Sequence, residues 1–368
     1  MTTMKIPLRQ LAASFSAAAI GAAVSLGLLA ASAGAGPLTV GNLVLVEVAG
    51  TVNSAGPITI RELSTTGSTV QSFPVDSGNG GGQISATATS EGQLSLNASG
   101  DSWTLGVYVP PFTGSGSLSG RTAVQAPRGF MTVTTSGSVS SAATVLTGAY
   151  STDNIRSGVQ SGDRAWFAGP GGPGSGIMTF SSGTAQVQDI NSRVVQVING
   201  DLFYSTGAGT AGLYKYTGLP TGAATSTAFL TGVTGQGGSP YDFALATSGS
   251  TLYVADDGIG VQKFTFNGSA WSHAYDFTAT GVTSNRGYGL AVDFSTTNPT
   301  LYWTTPANIY TAVDAGSAAL GTSIASISSA TGAFRGLDIV PVPEPTSLAS
   351  LGCAAALYAM LRRRRRAA

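Results

Sequence analysis

Asp256 and Asp257 stand side by side in LYVADDGIGVQKF (Leu252–Phe264), at the end of an apolar run and before a glycine turn. Hard carboxylate oxygens in such a loop can hold Ca²⁺. The same side chains can instead shape the turn through hydrogen bonds to nearby backbone amides, and no repeated acidic loop accompanies them to favour a metal. Asp242, Asp293 and Asp338 also lie near strand openings, where two carboxylates converging at one mouth could perform acid–base chemistry on a sugar. His273, in AWSHAYDF, is the only histidine, so a metal site built on several histidines is excluded. A Ser-His-Asp triad would need that residue, but no G-x-S-x-G elbow precedes a helix. Trp166, Tyr204, Tyr253 and Trp303 could stack on sugars if exposed, yet their central-strand positions suit a core. GPGGPGSG (Gly169–Gly176) lacks the G-K-[ST] and following helix of a phosphate loop and is expected to be a hairpin loop. The sequence assigns no catalytic residue and no cofactor.

These residues sit in stretches that rhyme. NIRSGVQSGDRAWFAG begins at Asn154, RVVQVINGDLFYST at Arg193, YDFALATSGSTLYVAD at Tyr241 and RGYGLAVDFSTTNPTLYWTT at Arg286, with spacings of 39, 48 and 45 residues. Each reads as a strand, a turn, an aromatic-centred strand, a Gly- or Pro-containing turn, and a third strand. A period of about 40 to 50 residues with several strands per repeat is the signature of a β-propeller. The runs are too apolar to alternate cleanly, as expected where sheets pack on both faces. GQLSLNA, SWTLGVYV, RGFMTVTT and VSSAATVL, within residues 84–146, supply another candidate blade, whose long connection from Pro110 to Gly120 reads as a surface loop. AFRGLDIV (Ala333–Val340) resembles the opening strand RGYGLAVD, but no further strands follow it. NLVLVEVAG, ITIRELSTT and TVQSFPV near the start lack an opening strand. Pairing the late strand with these three completes a blade and closes a ring, removing exposed sheet edges. The expectation is an all-β propeller of about six four-stranded blades, with seven as the alternative.

Composition agrees with many short strands joined by glycine turns. Of 368 residues 51 are Gly and only 9% are charged, against roughly 25% in an average protein. The 14 Phe, 12 Tyr and 4 Trp argue against disorder. Without the terminal Lys5, Arg9, Glu344 and Arg362 to Arg366, the body is acidic by about six charges. It offers no basic stripe for phosphate backbones, so nucleic acid is not an expected partner. Cys353 is the single cysteine, so the body has neither disulfides nor thiolate metal sites.

The ends read as addresses. Lys5 and Arg9 precede an apolar stretch from Leu11 to Ala31, and Ala31-Ser32-Ala33 offers a small-residue cleavage site, with Ala33-Gly34-Ala35 as a second choice. Residues 1–35 therefore read as a secretory signal peptide, to be exported by the Sec machinery and cut by signal peptidase. Residues 36–341 form the expected propeller-like extracellular body. At the other end Val342-Pro343-Glu344-Pro345 is followed by an apolar segment from about Ser347 to Leu361 and by Arg362, Arg363, Arg364, Arg365 and Arg366. The segment is short for a span of roughly 20 residues. The arginines would keep their end in the cytoplasm.

In order and spacing, residues 342–368 resemble the PEP-CTERM sorting signal. That resemblance implies a transmembrane helix, recognition by exosortase, cleavage near the Pro-Glu-Pro, and a Gram-negative host with exopolysaccharide or biofilm matrix. It implies a precursor held transiently in the inner membrane and a mature form at the cell surface or outside it, with exopolysaccharide as a further partner. The leading functional expectation is an exported, noncatalytic surface or matrix scaffold. The alternatives are a carbohydrate-active propeller enzyme, a lyase or glycosidase, and a polysaccharide-binding module. An acidic funnel with two facing carboxylates would favour the enzyme, and a flat Ser/Thr-rich surface the scaffold.

Overall fold

The computed structural model describes residues 36–342 apart from 51–54, 76–80, 141–142, 233–238 and 281–285. The leader with Ala33 and Ala35, and the tail with Pro343, Glu344, Pro345 and Arg362 to Arg366, lie outside the described residues, as do the two expected flanking helices. Val342 is described and exposed. The described secondary structure is β throughout, and no helix among those residues is long and apolar enough to cross a membrane.

Each repeat folds into an antiparallel meander because its apolar runs are short and punctuated by glycine turns. The first three strands, β1 (Leu43–Ala49), β2 (Ala55–Leu63) and β3 (Thr69–Pro74), pair in order. A short β4 (Gln83–Ser85) bridges β2 to the next group, β5 (Leu94–Leu96), β6 (Ser102–Tyr108), β7 (Arg128–Thr134) and β8 (Thr144–Val145). The third group is β9 (Ser157–Ser161), β10 (Arg164–Ala168), β11 (Ile177–Phe180) and β12 (Thr184–Gln188). The fourth is β13 (Val195–Ile198), β14 (Asp201–Thr206), β15 (Gly212–Tyr216) and β16 (Thr227–Thr231). The fifth is β17 (Pro240–Leu245), β18 (Thr251–Asp256), β19 (Gly260–Phe266) and β20 (Trp271–Ala279). The sixth is β21 (Leu290–Asp293), β22 (Thr300–Thr304), β23 (Asn308–Val313) and β24 (Ala319–Ser326), and its β24 also pairs in parallel with β20. The late strand β25 (Gly332–Ile339) returns to pair antiparallel with β1, from Leu43↔Ile339 to Ala49↔Gly332.

Apolar side chains fill the interfaces between successive groups. Adjacent residues of one strand face opposite interfaces. Leu202 and Tyr204 pack with Trp166 and Ile177 of the preceding group, while Phe203 packs with Phe243 and Val254 of the next. The last interface joins Ala291, Tyr302 and Ile309 of the sixth group to Leu43, Leu45 and Leu337 beside the returning strand. Burying side chains of this size contributes about 1.5–3 kcal/mol each, so the core follows the sheets around instead of forming one central mass.

Backbone and hydroxyl bonds join the opening strands to one another and to neighbouring segments. The Gly336 amide donates to Gly92 O at 3.0 Å and the Gln93 amide to Arg156 O at 3.1 Å. The Val195 amide donates to Ser157 Oγ at 3.0 Å, and Thr304 Oγ1 donates to Arg335 O at 2.7 Å. The long connection between β6 and β7 is held from inside by Arg128, which is fully buried. Its guanidinium donates to Arg121 O at 2.9 Å, Ala126 O at 2.6 Å, Ser119 O at 3.0 Å and Asp153 O at 2.6 Å. Arg128→Ala strands several buried carbonyls and is expected to cost on the order of 3 kcal/mol. Limited proteolysis should then cut first between Pro110 and Gly120, and an unchanged cleavage pattern would refute the bracing role.

Candidate functional site: an acidic cavity at the opening strands

Leu94, Gln196, Asp242, Leu290 and Asp338, contributed by or next to five different opening strands, line one cavity of about 540 Å³. Its polar lining also includes Asn97, Ser99 and Asn199, and its apolar lining includes Phe243, Leu245, Val292 and Phe294. Among the described residues no Lys, Arg or His lines it.

Local sequence explains how the carboxylates arrive there. The pairing of β17 with β18 shifts between Pro240 and Phe243, and such an irregularity re-aims the side chains it carries. Asp242 there is 2% exposed. Its Oδ1 accepts from Gln196 Nε2 at 2.8 Å and from the Phe243 amide at 2.9 Å, and its Oδ2 from the Leu290 amide at 3.0 Å. Asp338, near the end of β25, is partly exposed to the cavity. Its Oδ2 accepts from Trp103 Nε1 at 2.9 Å and its Oδ1 from the Ile339 amide at 2.8 Å.

Burial pushes the Asp338 carboxyl up to about 6. Burial also holds Asp242 well above the usual carboxylate range, and the neighbouring Asp338 raises it further against its three hydrogen bonds. A carboxyl raised well above its usual range next to one raised only to about 6 is an arrangement that can supply an acid and a base at one place.

The other sequence candidates separate. Asp293 caps its own turn by accepting from the Ser295 amide at 2.8 Å and does not line the cavity. Asp256 is buried and accepts from the Gly258 amide at 2.8 Å, a turn-forming contact, while burial raises its carboxyl to about 6. Asp257 is partly exposed beside it. Among the described residues no three His, Cys, Asp or Glu side chains gather as a metal site. His273 pairs with Asp276 at 2.7 Å on the surface. Trp166, Tyr204, Tyr253 and Trp303 are all buried, so none offers a face to a sugar. Gly169–Gly176 connects β10 to β11 as a loop.

Sequence reasoning missed Gln196 and Trp103, the side chains that hold the two carboxylates. Neither residue carries a motif, and each meets its aspartate only across a boundary between groups, 46 and 235 residues away in the chain.

A propeller-like all-β body with an acidic, cation-free cavity among its opening strands is the class of protein these elements define. No family model and no curated protein matches the chain. Among solved structures it is similar to a chain of a nidogen/laminin complex, at 11% identity and a TM-score of 0.48, over 82% of this chain and 99% of that one. It is also similar to a gluconolactonase of Xanthomonas campestris, at 11% identity and a TM-score of 0.41, over 70% of this chain and 82% of that one. A third likeness is to the periplasmic gluconolactonase of Pseudomonas aeruginosa, at 13% identity and a TM-score of 0.43, over 73% of this chain and 78% of that one.

Proposed function

We propose that the chain is a six-bladed, ring-closed propeller that binds a small polyhydroxylated ligand of the carbohydrate class and performs acid–base chemistry on it. The observation that carries this reading is the convergence of Asp242 and Asp338 on one cavity. Asn97, Ser99, Gln196 and Asn199 suit ligand hydroxyls, and the walls of Phe243, Leu245 and Phe294 suit the apolar face of a sugar ring. Asp338, the more accessible carboxyl, acts on the ligand, and Asp242 modulates its protonation. This favours the carbohydrate-active alternative over the noncatalytic scaffold.

The test is release of reducing ends from a panel of neutral oligosaccharides, followed against pH. Turnover should fall on both sides of an optimum, and Asp338→Asn should lower it by roughly 100-fold or more. Binding without turnover would reduce the protein to a binding module. Neither binding nor turnover would return it to a scaffold.

The route to the ligand is a second proposal, resting on the terminal sequences. A leader in residues 1–35 and a sorting tail in residues 342–368 would deliver the body across the inner membrane and release it through exosortase, towards exopolysaccharide. Tail removal that proceeds unchanged in an exosortase-deletion strain would refute it.

A further inference from the structure

An arginine recurs at or near the head of several opening strands. Arg156 precedes β9, Arg193 precedes β13, Arg286 precedes β21, and Arg335 lies in β25 beside Gly92, just before β5. Tyr241 holds the corresponding place in β17. Opening strands that run in the same sense bring their heads to one mouth, opposite the end that carries Asn199 and Asp338.

The side chains there are in contact. The Arg193 guanidinium lies 4.8 Å over the Tyr241 ring. Tyr241 meets Tyr288 edge-on at 4.8 Å, and Arg286 Nη1 donates to Tyr288 Oη at 3.2 Å. Arg156 and Arg335 are 7% and 2% exposed. Burial lowers each to about 10, and Arg193 contributes to the effect at Arg156 as a neighbouring like charge.

Buried guanidinium groups are ordinarily paired with anions. Among the described residues the ion pairs are Arg61–Glu47, Lys215–Asp201, Lys263–Asp314 and His273–Asp276, and none of these four arginines takes part. Arg156 and Arg335 spend their Nη atoms on Asn191 Oδ1 and on the carbonyls of Ser192, Phe334 and Ala86. The Nε of Arg156, Arg193 and Arg335 remain buried without a hydrogen-bond partner. So do both amide atoms of Gln93, which is fully buried at the head of β5.

The nearby carboxylates Glu91 and Asp257 attract these arginines through space, Glu91 acting on Arg335 and Arg156 and Asp257 on Arg286. Neither forms an ion pair with them among the described residues. Glu91 uses its oxygens on the Ser85 amide and Tyr108 Oη, both at 2.8 Å, and burial raises it to about 7. Asp257 is partly exposed and makes no ion pair with these arginines among the described residues.

We propose that this mouth is an oxyanion site, in which Arg193 and Arg286, backed by Arg156 and Arg335, receive the phosphate, sulfate or carboxylate group of a small ligand. Planar guanidinium forks and tyrosine hydroxyls suit that chemistry. None of these four arginines lines the Asp242–Asp338 cavity, and the proposal does not rest on the activity proposed for it.

Calorimetric and thermal-shift titrations of the full chain with inorganic phosphate, sulfate and glucuronate, against sodium chloride at equal ionic strength, provide the test. Saturable binding of at least one probe is expected, weakened about tenfold or more in Arg193→Gln. Arg286→Gln, at an exposed position, should weaken it too and guards against misfolding of the first variant. Arg164→Gln, on β10, should leave it unchanged. Preference for the inorganic ions would identify a free-anion site, and preference for glucuronate an acidic-sugar site. No saturable binding of any probe, or binding by both mouth variants as tight as that of wild type, overturns the proposal.

Discussion

Glu91→Gln is expected to make the protein more stable at pH 8.5 and to leave it nearly unchanged below pH 4.5. Glu91 is fully buried, and burial lifts its carboxyl from 4.5 to about 7, against the lowering effect of the Ser85 amide, Tyr108 Oη, Arg335 and Arg128. The folded state therefore binds this proton more tightly than the unfolded chain does. Stability is undiminished below about pH 4.5 and is lost as pH rises towards 7, in total about 3 kcal/mol from this residue. Glutamine keeps an acceptor for the Ser85 amide and an amide group for Tyr108 Oη, while its charge is zero at every pH. Urea unfolding across this range should show a wild-type slope that is flattened by about that amount in the variant. Asp242 and Asp338 retain their own shares, of the same sign, because both are also raised. Equal slopes for wild type and variant would refute the assignment.

The second large effect concerns the returning strand β25. A Cβ added at Gly336 would fall 2.4 Å from Leu94 N, 2.8 Å from Gly92 O and 2.9 Å from Leu94 Cβ. Two of these neighbours are backbone at the start of β5 or just before it, so relief requires β25 to move away from that segment. That movement breaks the Gly336-to-Gly92 hydrogen bond and loosens the side of the cavity that Asp338 supplies. Gly336→Ala should cost about 3 kcal/mol, at the upper end of overpacking effects. Gly183→Ala is the control, because a Cβ there meets nothing within 4 Å, and it should stay within about 0.5 kcal/mol of wild type. Equal denaturation midpoints for the two variants would show that the seating of β25 against β5 does not depend on this approach.

Much of the fold was legible because its signals are local. The central runs RAWFAG, DLFYST, TLYVAD and TLYWTT became β10, β14, β18 and β22, whose aromatic residues are buried between neighbouring sheets. The incomplete ends were legible too, since AFRGLDIV matched an opening strand and three early runs lacked one, and β25 pairs with β1. The outer strands β12, β16 and β24 were not named. They are largely exposed and rich in Thr, Ser and Ala, as in TAQVQ and ALGTSIAS, and so lack the apolar pattern that marks a buried strand.

The candidate site was less legible. Asp242, Asp293 and Asp338 had equal standing in the sequence, each near an opening strand. The β17 irregularity and the Gln196 and Leu290 contacts bring Asp242 to the cavity, and Trp103 fixes Asp338 there, while a two-residue turn contact occupies Asp293. The recurrent arginine stands in RVVQV, RGYGL and AFRGL but was not singled out. That these guanidinium groups form no ion pair among the described residues depends on what surrounds them from other repeats, which no single segment records.

The sequence by itself determined the strand repeats, the turns between them and the identity of the piece that closes the sheet, because hydrophobic spacing and glycine act within a few residues. Only the tertiary structure decided which carboxylates share a cavity and which arginines share a mouth. Those groups lie tens to hundreds of residues apart, and their protonation and pairing are set by burial and by neighbours that only the folded sheets bring together.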